Sequence, residues 1–297
     1  MSRAIPSRSL AALAVALAGP AHAAGVAFVH EASIYIDAKE RALSAPEGVA
    51  CSASGHVVVA DTGNRRLVLY TYKDGRLGGG TEVRLEQLPS PFRVQIDARG
   101  DVLVLDLKTR KIARVAANGS FGGALEPQGL SGNVVLGAFK LGPGGEVVLL
   151  DVAGRRVAVA DASGKVTREV PLPPGSVVTD VAADATGSLY AVDAVGAVVW
   201  VAEKGAAAFR ALTKGMKDRM SFPVYLAVDR GRIFLVDQYG SGVVVLGIDG
   251  SYQGRQLSIG WNDGLVNYPA QLCLRDDGVA FVADRFNDRV QAFSIGR

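Results

Sequence analysis

The chain has 297 residues, with 32 Lys and Arg against 29 Asp and Glu, two Cys and three His. This near balance of charge excludes a global electrostatic pull on nucleic acid, and so few His exclude a zinc site of converging imidazoles. The length is ample for a single large hydrophobic core.

Residues 1–23 read as a secretory signal. Arg3 and Arg8 give a basic start, residues 10–18 a short apolar core, and Ala21-His22-Ala23 a small-residue cleavage site. The apolar core is too short to span a membrane, and no Cys follows the cleavage site to take a lipid, so no membrane anchor is expected. Removing this segment takes away two Arg and no acid, which lowers the formal charge of +3 by two, to +1. The expected mature chain is residues 24–297, a single domain that is periplasmic or secreted.

Residues 26–37, VAFVHEASIYID, are strand-like and precede the first unit of a long repeat. That first unit is residues 46–70. An apolar run ends in a Gly turn, a denser β-branched run ends in Asp61, and a Thr-Gly-Asn turn leads into a third run. This reads as three antiparallel strands with tight connections.

Gly55 and Asp61 set a ruler. The same Gly-x5-Asp pair recurs at Gly100/Asp106, Gly145/Asp151, Gly187/Asp193, Gly231/Asp237 and Gly278/Asp284, with Asp-to-Asp steps of 45, 45, 42, 44 and 47. A further turn Gly follows the Asp in the first five units: Gly75, Gly119, Gly164, Gly205 and Gly250. Strand-like units at a fixed period near 45 must stack to bury their faces, and four short strands per unit make a propeller blade. The sixth unit stops at its third strand, so residues 26–37 are expected to supply its fourth. The fold class expected is all-β: a six-bladed propeller of four-stranded antiparallel blades, its last blade closed by the N-terminal strand.

The motif Pro46-Glu47-Gly48-Val49-Ala50, followed by Asp61-Thr62-Gly63-Asn64-Arg65-Arg66, resembles the NHL repeat. Residues 283–289, Ala-Asp-Arg-Phe-Asn-Asp-Arg, are the next best match, and the fourth unit carries Val198 where the repeat has a basic residue. The resemblance covers residue 46 to the C-terminus. It implies the propeller, and leaves function to the site, because one fold hosts many activities.

In such a blade, the first-to-second and third-to-fourth turns lie on one face. Here they are short and repetitive, and turn chemistry accounts for them. The opposite face carries the second-to-third loops and the long links at residues 79–90, 121–134, 206–222 and 251–268. Variable loops on a rigid scaffold commonly bind. Two residues past each repeat Asp stand Gly63, Lys108, Ala153, Val195, Tyr239 and Phe286. Two past each leading Pro or its equivalent stand Gly48, Arg93, Ala138, Asp180, Tyr225 and Gln271. From these two rings, Arg93, Lys108, Asp180, Tyr225, Tyr239, Gln271 and Phe286 are expected to converge at the channel mouth as a ligand-binding set. Phe92, Met216, Met220, Trp261 and Tyr268 are expected beside them.

The inventory argues against catalysis. After signal removal only His30 and His56 remain, neither placed near the channel. Propeller lyases that rely on channel His are therefore disfavoured. Lactonases of the gluconolactonase type hold a divalent cation with Glu, Asn and Asp at the channel mouth. Only Glu47 and Asp180 stand near those strand ends, too few donors for a hard cation. No metal and no cofactor is expected. The six repeat Asp are read as turn caps, since equivalent copies in every unit point to architecture. The basic pairs Arg65-Arg66, Arg110-Lys111 and Arg155-Arg156, with Lys108 and Arg289, read either as solvated structural residues or as an arc for an acidic partner.

Cys51 and Cys273 fall on inner strands of the first and last blades, which closure makes neighbours. Export permits oxidation, so a disulfide is one expectation and two buried thiols the other. The overall expectation is a monomeric binding protein for a protein, peptide or glycan of the cell envelope. A lactonase-like hydrolase or lyase with a weak cation site at Asp180 and Glu47 is the alternative.

Overall fold

The structure is a computed structural model that describes residues 26–296; the expected signal sequence lies outside the described residues. Six four-stranded antiparallel sheets form a propeller. Blades one to five run over residues 48–83, 91–125, 136–171, 178–211 and 223–256, each laid down from inner to outer strand. The sixth blade takes Pro269–Leu274, Val279–Asp284 and Arg289–Gly296 from the C-terminus and Ala27–Ile34 from the N-terminus. The closing pair is antiparallel, from Ala27↔Gly296 to Ile34↔Val290, with one irregularity between His30 and Ala32. This is the closure expected from the truncated sixth unit.

The second strand of each blade is the most apolar. Val102–Asp106, Val147–Asp151 and Leu189–Asp193 are buried throughout. Such strands have blades on both sides, so a continuous β-branched and Leu run is what the position selects. Outer strands are more exposed and vary in length, from eight residues in Arg76–Val83 of blade one to the two residues Arg210–Ala211 of blade four. The ruler glycines Gly55, Gly100, Gly145, Gly187, Gly231 and Gly278 all turn with φ between 73° and 91°, a region where a Cβ is strained.

The repeat Asp do more than cap a turn. Each carboxylate accepts the backbone N–H of a residue 16 or 17 positions earlier, in the link that leads into its own blade. The donors are Ser44, Ser90, Val135, Val177, Ser221 and Asn267. Several also accept from the following turn, as Asp106 does from Lys108 and Thr109 and Asp193 from Val195 and Gly196. All six are buried. Arg66, Arg156 and Arg289 then pair with the Asp five residues before them, at 2.5, 3.0 and 2.8 Å. The basic set is therefore divided: Arg65, Lys108, Lys111 and Arg155 stay exposed. The second residue of two pairs, Arg66 and Arg156, is spent on the clamp together with Arg289. The first residues Arg65, Arg110 and Arg155 take positive φ in the turn.

Several devices hold the seam between blades one and six. Beyond the closing strand, Arg66 of blade one bonds Asp37 at 2.6 Å, which ties down the N-terminal segment. Tyr72 gives its hydroxyl to Glu31, and Arg275 donates to the Tyr72 carbonyl. Val57, Val59 and Val68 share one apolar cluster with Phe281, Ala283 and Val290. Cys51 and Cys273 are joined by a disulfide across the inner strands, with Cα atoms 5.9 Å apart.

Because the bridge closes a loop of 222 residues, replacing both Cys by Ala should lower the unfolding free energy by about 2–5 kcal/mol. The strand pairing should keep the native circular dichroism intact; urea titration of both proteins measures the difference. Burial opposes the charge of the Asp37 carboxylate. Hydrogen bonds from the Arg41 N–H and guanidinium, the Lys39 N–H and the Arg66 guanidinium outweigh it and hold the carboxyl well below its usual range. A depressed folded-state pKa contributes stability above the unfolded value, near pH 4, that is lost as pH falls below it. Asp37→Asn should therefore flatten the acid limb of the stability curve below about pH 4 and lower stability at neutral pH.

Candidate functional site

The inner strands run from the link face to the turn face, and their side chains fill the channel in layers. The first layer is Gly48, Arg93, Ala138, Asp180, Tyr225 and Gln271. It is a closed plug. Arg93 donates to the carbonyls of Ala270, Glu47 and Val224 at 2.9, 3.2 and 3.0 Å, and its guanidinium lies over the rings of Phe92 and Tyr225. Gln271 donates to the carbonyls of Val49 and Val94. Asp180 accepts from Lys140 Nζ at 2.6 Å and from the N–H of Leu226 at 2.8 Å. Gly48 is required here: a Cβ would stand 2.2 Å from the Phe92 carbonyl oxygen and 3.1 Å from Gln271 Oε1.

Four of the seven expected ligand residues, Arg93, Asp180, Tyr225 and Gln271, are thus buried and turned on one another and on the backbone. They do not offer side chains at the mouth. The reason is desolvation: where six strands converge, a polar group without a partner is costly, so most polar atoms there pair with one another or with the backbone, Arg93 Nε and Asp180 Oδ1 excepted. Lys108 is exposed, but on blade two, across the ring from blade five. Met220 is buried and Met216 packs beside it in a core cluster, so neither belongs to the surface. The candidate cation donors are also engaged, Asp180 by Lys140 and Glu47 by Arg285 at 2.7 Å. Among the described residues no group of three or more His, Cys, Asp or Glu gathers.

Tyr239 and Phe286 do stand on the link face, about half exposed, and they belong to a ladder of four rings. Phe222 stacks on Tyr239 with centroids 4.7 Å apart; Tyr239 meets Tyr268 at 5.4 Å; Tyr268 stacks on Phe286 at 4.3 Å. The ladder crosses from blade five to blade six, each blade giving one ring from its link and one from its second-to-third loop. Arg285 lies over the Phe286 ring. Trp261 and Ile259, in the link before blade six, are 75% and 63% exposed. Val195, Val177 and Val152 continue exposed apolar surface on blades four and three.

Sequence reasoning missed Lys140, the charged residue of the second layer. The available signal was one Lys inside the apolar inner strand Leu136–Leu141. Its ammonium lies 3.1 Å from the centroid of the Tyr225 ring as well as on Asp180.

No family profile matches the chain, and no characterised protein matches it significantly in sequence. Solved structures do match its fold. A streptogramin B lyase aligns with a TM-score of 0.66 at 12% identity, over 92% of this chain and 98% of that one. A catalytically inactive histidine-to-alanine variant of virginiamycin B lyase from Staphylococcus aureus, with quinupristin, gives 0.62 at 15%, over 91% and 98%. A chain of the nidogen/laminin complex gives 0.59 at 14%, over 78% and 92%. At these identities the likeness establishes the six-bladed propeller and nothing finer.

The Lys140–Asp180 pair is almost fully buried, so removing one partner strands the other charge. Lys140→Met alone should destabilise by about 3–5 kcal/mol, and Lys140→Met combined with Asp180→Leu should recover most of the loss. Chemical denaturation of the two single variants and the double variant gives the coupling directly.

Proposed function

We propose that this chain is an exported, NHL-type propeller whose work is binding, and that it captures a protein or peptide partner on its link face. The aromatic ladder of Phe222, Tyr239, Tyr268 and Phe286, extended by exposed Trp261, carries this reading. Exposed aromatics gathered on one rim have little structural reason to be there, and they are the residue types that dominate interface centres. The neighbouring Val152, Val177 and Val195 favour a protein or peptide over a glycan, because aliphatic side chains give a sugar neither a ring face nor a hydrogen bond. One chain that shares this fold comes from a nidogen/laminin complex.

The lyase reading has less support. A histidine-to-alanine change accompanies the inactive state of one lyase neighbour. In this chain His30 lies on the closing strand and His56 begins the second strand of blade one at the turn face. Most polar atoms of the plug are paired internally, with Arg93 Nε and Asp180 Oδ1 the exceptions. Export rests on the composition of residues 1–23, and the Cys51–Cys273 bridge is the form expected in an oxidising compartment.

Replacing Tyr239 and Phe286 together with Ala should leave the thermal midpoint nearly unchanged, since both rings are half exposed. It should weaken partner capture by on the order of 2 kcal/mol. Cross-linking and pull-down from the native envelope, with wild type and the double variant compared, checks this. Equal recovery of the same partners would move the binding surface away from the ladder.

A further inference from the structure

Below the plug the channel opens again, on the opposite face of the propeller. The second layer of inner-strand residues is Ala50, Gln95, Lys140, Ala182, Ala227 and Cys273, and all six line a cavity of about 230 Å³. Three of these six positions are Ala, so the space exists because the side chains that would fill it are missing. The cavity lies at the turn-face ends of the inner strands and is independent of the aromatic ladder.

We propose that this cavity binds a small organic carboxylate that enters from the turn face. Three observations carry the assignment. First, donors stand at its base: Lys140, which uses one N–H on Asp180, and the Gln95 amide NH2, which donates one N–H to the Tyr225 hydroxyl at 3.3 Å. An ammonium has three donors, so Lys140 keeps capacity for an acceptor in the cavity. Second, the buried channel holds two basic side chains, Arg93 and Lys140, against one carboxylate, Asp180. Arg93 is met by backbone carbonyls and by the Phe92 and Tyr225 rings rather than by a carboxylate. An excess of buried cation in a desolvated channel favours an anionic guest. Asp180 does not line the cavity; Asp229, about one-third exposed, does, and it stands 3.9 Å from Arg230. Third, Ile96, Leu141 and Leu274 give apolar edges to a lining that is otherwise mainly polar, which suits a short acid with a small apolar body. The volume lies below the roughly 300–1,000 Å³ of pockets for drug-sized ligands, which points to a short-chain or monocyclic acid.

The test uses the mature protein in a carboxylate-free buffer, titrated calorimetrically with sodium benzoate and sodium butyrate, and with benzyl alcohol and 1-butanol as uncharged counterparts. One equivalent of at least one carboxylate should bind saturably, and its alcohol counterpart should bind at least about tenfold more weakly, because the charge-assisted contact is lost. Ala227→Leu, which fills the cavity, should abolish binding. Should that variant fail to fold, Gln95→Phe fills the cavity from a position that already carries a long, part-buried side chain. Equal binding of acid and alcohol would overturn the proposal. So would the absence of saturable binding by both acids, or unchanged binding in a folded, cavity-filled variant. The Tyr239→Ala, Phe286→Ala protein should bind the acid as wild type does, which separates this site from the docking face.

Discussion

The buried Asp at the end of each second strand is the interaction on which this propeller depends. A propeller blade has to return its chain from the outer strand of one sheet to the inner strand of the next, across an otherwise irregular link. Here a carboxylate from the second strand accepts the backbone N–H of that link, so the least regular part of each unit is pinned to the most buried part. Hydrogen bonds to an ionised acceptor are stronger than neutral ones, and in a desolvated site their loss is correspondingly costly. The Arg partners in blades one, three, five and six serve the same end. They neutralise the clamp and reach further carbonyls, as Arg289 does with Asn262 and Leu265.

A ring of units that contact only their neighbours is as stable as its weakest joint, and the joint between first and last blades has no covalent link from chain order. This protein secures it at three depths. The disulfide lies on the inner strands, a shared apolar cluster fills the middle, and the N-terminal strand completes the outer edge. Asp37 then carries the segment over onto blade one. The same residues that close the ring thereby remove the free edge that a three-stranded last blade would present.

The two faces divide the labour according to what their connections allow. Turns of Asp and Gly on one face are short, so the channel there stays open and its content is set by the inner-strand layer of Ala, Gln and Lys. On the other face long links bring aromatics together, while the first inner-strand layer shuts the channel beneath them. A macromolecular partner and a small guest would therefore meet this molecule at opposite ends, with the Arg93, Asp180 and Gln271 plug between.

The sequence by itself determined the architecture. The Gly-x5-Asp ruler repeats because each copy meets a local demand, a left-handed turn and a buried acceptor, and local demands are written at fixed spacing. The truncated sixth unit made the strand exchange with residues 26–37 readable for the same reason. The sequence also placed Tyr239 and Phe286 on the link face. What it did not decide was which ring positions face solvent. Arg93, Asp180, Tyr225 and Gln271 have the composition of a ligand set, yet convergence of six strands buries them against one another. Lys140 is the one charged residue of an apolar strand, and only the ring sets it on Asp180, 40 residues away in the next blade. Whether a polar side chain serves a ligand or a neighbour depends on the distance between blades, and that distance exists only once the propeller has closed.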